Sequence, residues 1–95
     1  MAGPEADIQK AIVERLQAAG VLVLFLQLAG GRGFPDITAM WNGKIVCVEV
    51  KRLHGGRVSR HQYMISEALH EAGITVYFAN SVDICELVLA DLEVK

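Results

Sequence analysis

Apolar positions recur along the chain in two rhythms, and the changes of rhythm mark its elements. Ile8, Ile12, Leu16 and Ala19 follow the helical repeat after Gly3-Pro4, so a helix opens with proline in its first turn and closes at Gly20. Val21 to Leu28 is a run apolar but for Gln27, the pattern of a strand covered on both faces. Ala29-Gly30-Gly31-Arg32-Gly33 is a loop, and Phe34-Pro35 leaves it extended because the residue before proline avoids the helical region. Asp36 to Trp41 and Lys44 to Lys51 read as strands joined by Asn42-Gly43, a type I′ hairpin signal. Ser59 caps a helix running to about Ala72 and stopped by Gly73, Ile74 to Ala79 is a last strand, and Ser81 caps a final helix to about Leu92. The predicted fold class is α/β, order αβββαβα, with a mixed four-stranded sheet flanked by helices and one domain over residues 1–95.

The hairpin carries the candidate chemistry. If Asn42 and Gly43 are the two turn residues, Trp41 faces Lys44 and Asp36 faces Glu49. Alternation places Lys51 on the face of Glu49, while Val46, Val48 and Val50 point the other way into a core. Two carboxylates opposite each other, near 5 Å at an effective dielectric of about 20, repel by roughly 3 kcal/mol. Glu5 is a third candidate acid. At about 100° per residue it lies within about 60° of the apolar stripe, while Glu14 lies opposite. For Glu5 a functional role and a simple favourable charge at the helix N-terminus are both open. If Glu5, Asp36 and Glu49 converge near Lys51, one ammonium does not balance three acids, and an all-oxygen site suits Mg²⁺ or Mn²⁺ better than zinc. The competing arrangement is a buried Glu49–Lys51 ion pair with Asp36 solvated at the strand's edge.

Charge sharpens the picture. The chain of 95 residues has a net charge of -2. Yet Lys51, Arg52, His54, Arg57, Arg60 and His61 lie in one stretch without an acid, while Glu67, Glu71, Asp83, Glu86, Asp91 and Glu93 populate the C-terminal third. The basic stretch is either a face for a nucleic-acid backbone or a solvated loop. Cys47 and Cys85 fall in apolar segments and read as reduced core thiols, and His54, His61 and His70 lack the spacing of zinc ligands. The start has neither a basic flank nor an apolar core, and Val21 to Leu26 is too short to span a bilayer. The expectation is a cytoplasmic protein that needs neither a membrane nor a nucleotide cofactor.

Gly33-Phe34-Pro35-Asp36, then Glu49-Val50-Lys51, then Ser59 to Gln62 opening a helix, resemble the motif series of the virus-type replication-repair nuclease (VRR-NUC) domain. That domain belongs to the PD-(D/E)xK superfamily, with its restriction-endonuclease-like core. The resemblance implies that Asp36 and Glu49 are metal ligands, that the Val50 carbonyl adds a third, that Lys51 is the catalytic lysine, and that Glu5 and Gln62 complete the site. Gln62 also fits the last position of a Ser-x-x-Gln capping box, so catalytic and structural roles are both open for it. Arg32, Arg52, His54, Arg57, Arg60 and His61 are the candidate DNA contacts. Stand-alone members resemble homodimeric bacterial or phage enzymes that cut branched DNA such as four-way (Holliday) junctions, which would place the chain in a bacterial or phage-infected cell. The expected activity is therefore that of a metal-dependent DNA endonuclease; the alternative is a non-catalytic DNA-binding subunit of a larger replication or repair assembly. A dimer surface is expected on the final helix, where Val82, Ile84, Cys85, Leu87, Val88, Leu89 and Leu92 cover an arc of about 220°, twice what one packed face needs.

Overall fold

A computed structural model describes residues 3–53 and 55–95. The elements are α1 (Pro4–Ala18), β1 (Leu22–Leu24), β2 (Ile37–Trp41), β3 (Lys44–Val50), α2 (Arg60–Glu71), β4 (Thr75–Ala79) and α3 (Ile84–Leu92). This is the predicted αβββαβα order. The sheet runs β1-β2-β3-β4, antiparallel except for the β3–β4 pair, which α2 joins as a parallel crossover. Asn42 and Gly43 both take positive φ, 48° and 82°, as the type I′ turn requires. Trp41 pairs with Lys44 and Ile37 with Val48, so the predicted hairpin register holds.

Local hydrogen bonding explains the helix ends. After α1, Gly20 N–H donates to the Gln17 carbonyl at 2.9 Å and Val21 N–H to Leu16 at 3.1 Å; after α2, Gly73 and Ile74 bond His70 and Leu69 in the same way. These are Schellman closures, which satisfy the last carbonyls and turn the chain into the next strand. α3 starts later than Ser81 predicts. The Ser81 hydroxyl accepts from Asp83 N–H at 3.3 Å and shapes a turn, and the helix begins at Ile84.

β1 departs from expectation more sharply. It has three residues and lies at the sheet edge, with Leu22 55% and Phe25 60% exposed, so it is not covered on both faces. The physical reason lies in its partner: continuing the Leu24–Thr38 register would bring β1 opposite Asp36 and Pro35, but Pro35 has no N–H and β2 has ended.

One face of the sheet makes the core. Ile12 and Leu16 of α1 and Cys85, Val88, Leu89 and Leu92 of α3 pack on Ile37, Ala39, Val46, Val48, Val50 and Ala79. The arc on α3 is therefore mostly consumed inside the subunit. Val88 is fully buried, and Val82 and Leu87 are the large apolar residues it leaves exposed. Tyr77 donates to Asp91 and ties β4 to α3, and both cysteines are free and buried. α2 packs against β4 with none of its residues fully buried, on the side of the sheet that bears Glu49 and Lys51. No described helix is long and apolar enough to cross a membrane.

Candidate active site

The site forms at the N-terminal end of β2. Beyond Ile37 the main chain of β2 no longer serves β3, and the Asp36 side chain takes over: its Oδ2 accepts the Val50 N–H at 2.8 Å. In an extended strand the carbonyl of a residue leaves on the same side as its N–H, so the Val50 carbonyl faces the same edge. Glu49 continues the register opposite Asp36 and is only 2% exposed. Burial, the Asp36 carboxyl at hydrogen-bonding range and its negative charge together push the Glu49 carboxyl up to about 8, against the opposing pull of Lys51 and of the Asp36 backbone. Without a cation, Glu49 keeps its proton at neutral pH.

Lys51 does not form the ion pair that would make the cluster merely structural. Its Nζ donates to Gln62 Oε1 at 2.8 Å, and the ion pairs among the described residues are Lys10–Glu14, Arg15–Glu86 and Lys44–Glu93. Gln62 closes the helix cap and meets Lys51 through the same oxygen. The same Oε1 accepts Ser59 N–H at 3.0 Å while Gln62 N–H donates to Ser59 Oγ at 3.1 Å, a complete capping box.

The glycine of Gly33-Phe34-Pro35-Asp36 fixes the loop against this helix start. Gly33 has φ +94°, and a Cβ there would lie 2.8 Å from the carbonyl carbon of His61, so only glycine permits the contact. The sequence marked the glycine only as part of a motif; the contact with α2 is what it does. Arg32, Gly33, Ser59, His61 and Gln62 line a cleft of about 420 Å³ beside the lysine. Arg52 and Arg57 are exposed on the loop leading to α2 and Arg60 at its first position, and Arg52 donates to the Gly55 carbonyl at 3.2 Å. His54 lies outside the described residues. Glu5 is half-buried in the first turn of α1, and no three His, Cys, Asp or Glu side chains gather as a metal site among the described residues.

A hard divalent cation fits what remains. Two adjacent carboxyl groups, one held protonated chiefly by burial, and a main-chain carbonyl offer oxygen donors only, and Mg²⁺ commonly binds through one or two carboxylates with water completing its shell.

A mixed sheet in αβββαβα order, with Pro-Asp opening one strand and Glu-x-Lys closing its neighbour at the same end of the sheet, defines a nuclease-type domain of the PD-(D/E)xK class. The chain matches no family model and no curated protein sequence. In three dimensions it matches a solved structure described as a VRR_NUC domain, with a TM-score of 0.81 and 30% identity over 94% of this chain and 97% of that one. The chain belongs to the VRR-NUC family.

Proposed function

We propose that the chain is a Mg²⁺- or Mn²⁺-dependent DNA endonuclease acting on branched DNA. The observation that carries this reading is the pair of acids, Asp36 bonded to Val50 N–H and Glu49 buried beside it, with an ammonium held nearby by an amide and not by either acid. Asp36, Glu49 and the Val50 carbonyl would hold the ion, which when bound supplies a water acidified toward neutral pH and neutralises charge on the phosphoryl oxygens. Lys51 donates hydrogen bonds to the attacking oxygen and to the charge that develops as the water oxygen bonds phosphorus and the bridging oxygen leaves with a proton. Gln62 keeps that ammonium in place. Arg32 and His61 face the cleft beside it and would take a neighbouring phosphate, and Arg52, Arg57 and Arg60 the more distant backbone.

The reading includes a homodimer, because resolving a branch by paired nicks requires two sites. With most of α3 buried, the exposed apolar surface at the β1 edge, Leu22, Phe25, Leu26 and Leu28, is the better supported interface. Light scattering should give twice the 10.3 kDa chain mass, reduced to one by Phe25→Glu.

The rival, a DNA-binding subunit without catalysis, has no use for buried acids facing a polyanion. Labelled linear, nicked, flap and four-way-junction DNA, incubated with and without each metal, separates the two. Metal-dependent cutting favouring the branched forms is expected; binding without cutting in either metal would overturn the proposal.

A further inference from the structure

We infer that Ser59 is a positioning residue for Lys51, acting through Gln62, so that the helix cap and the placement of the active-site ammonium are one hydrogen-bonded unit. The inference deepens the nuclease reading and rests on it.

The argument starts from what holds α2. None of its residues is fully buried and its first turn contains no acid, so neither deep core packing nor a favourable dipole charge fixes the start of the helix. What fixes it is the capping box, together with the contact of Gly33 against the His61 backbone. Ser59 Oγ holds the Gln62 N–H at 3.1 Å, which sets the first turn, and Ser59 N–H holds Gln62 Oε1 at 3.0 Å, which sets the side chain. That same oxygen receives Lys51 Nζ at 2.8 Å.

Two donors converging on one oxygen leave the amide no freedom to flip, because its NH₂ end cannot accept from either. If the first turn frays, the oxygen loses its place and Lys51 loses the partner that holds it. The sequence Ser-x-x-Gln is common as a helix start. Its position eight residues beyond Lys51, returning over the basic loop to the same face, is what joins it to the chemistry.

The test compares Ser59→Ala, Ser59→Thr and, as a control, Ser81→Ala, which removes a turn hydroxyl before α3 that accepts from Asp83 N–H and bonds neither Gln62 nor Lys51. Three quantities are measured on the full chain: thermal midpoint, kcat and KM on junction DNA with Mg²⁺, and the side-chain NMR signals of Lys51 in metal-free protein. Ser59→Ala should lower kcat about 10-fold with KM little changed, the size typical of removing a supporting hydrogen bond. Its Lys51 signals should shift toward those of a freely rotating lysine. Ser59→Thr, which keeps the capping oxygen, should restore both. Ser81→Ala should lower the thermal midpoint yet leave kcat and the Lys51 signals unchanged. Wild-type Lys51 signals in Ser59→Ala would overturn the inference, as would an equal loss of kcat in Ser81→Ala. If the wild-type chain cuts no DNA, the nuclease reading fails, while the Lys51 signals still decide whether Ser59 positions the ammonium.

Discussion

Val48 and Glu49 are neighbours in β3 and are almost equally excluded from solvent, at 0% and 2% exposure, yet their surroundings treat them in opposite ways. Val48 meets the apolar residues of α1 and α3, and burying such a side chain stabilises the fold by about 1.5–3 kcal/mol. Glu49 meets another carboxyl group across the sheet and keeps its proton because burial disfavours its charge and the Asp36 carboxyl bonds and repels it. The two faces of one strand thus divide the work. The apolar face supplies stability, which lets the other hold two carboxyl groups together, the arrangement that the proposed cation would relieve.

The sharpest way to break this comparison is to exchange the penalties. Leu16→Ala removes core packing from the apolar face and should cost about 2–5 kcal/mol while leaving turnover nearly intact below the lowered melting point. Asp36→Asn should do the reverse. The amide still accepts the Val50 N–H and can donate to Glu49, so metal-free stability should rise, while metal-dependent cleavage is lost. Asp36→Ala loses cleavage as well but strands the Val50 N–H and should not share the gain. Thermal melts and cleavage assays check both; cutting near the wild-type rate by Asp36→Asn would remove Asp36 from the site.

A smaller effect sharpens the same contrast through pH. Glu49 releases its proton near 4.5 in the unfolded chain and near 8 in the folded one. Between those values the native state binds more protons, so this group's contribution to stability is full below about 4.5 and is lost as pH rises through about 8. Metal-free protein should lose stability across that window, Glu49→Gln should flatten the slope, and saturating Mg²⁺ should offset it by binding the ionised form. Apparent metal affinity should rise with pH up to about 8. A metal-free melting curve independent of pH in Glu49→Gln and wild type alike would contradict the assignment.

Smaller still are the contributions of single arginines. Replacing Arg57 or Arg60 by Ala should weaken DNA binding with little change in kcat, and each phosphate no longer neutralised should flatten the slope of log affinity against log salt by about 0.9. An unchanged slope after both replacements would place the backbone elsewhere.

Much of this was readable in the sequence, for identifiable reasons. The hairpin register followed from Asn42-Gly43, because a two-residue turn leaves no freedom in pairing, and Asp36 and Glu49 came together as a result. What failed depended on tertiary context. Val21 to Leu28 looked like a buried strand, but hydrophobicity cannot show that its partner ends at Pro35. The wide arc on α3 suggested an interface because periodicity cannot reveal that α1 and the sheet cover most of it. For Gln62 the sequence offered two roles as alternatives, and the folded chain shows one oxygen that both closes the cap and accepts from Lys51 Nζ.

The smallest expected change in stability comes from altering that oxygen's charge without moving it. Gln62→Glu keeps an acceptor for Ser59 N–H and another for Lys51 Nζ, so the cap and the lysine hydrogen bond should both survive, with stability within about 0.5 kcal/mol of wild type. Turnover should fall nonetheless: a carboxylate grips the ammonium more strongly than an amide and adds a negative charge next to Asp36 and Glu49. Gln62→Leu removes the acceptor altogether and should cost about 1 kcal/mol through the cap as well as lowering kcat. The two variants separate charge from shape. Wild-type turnover in Gln62→Glu would reduce Gln62 to a helix cap, and a stability loss in Gln62→Glu as large as that in Gln62→Leu would mean that the shared oxygen is not what holds the start of α2.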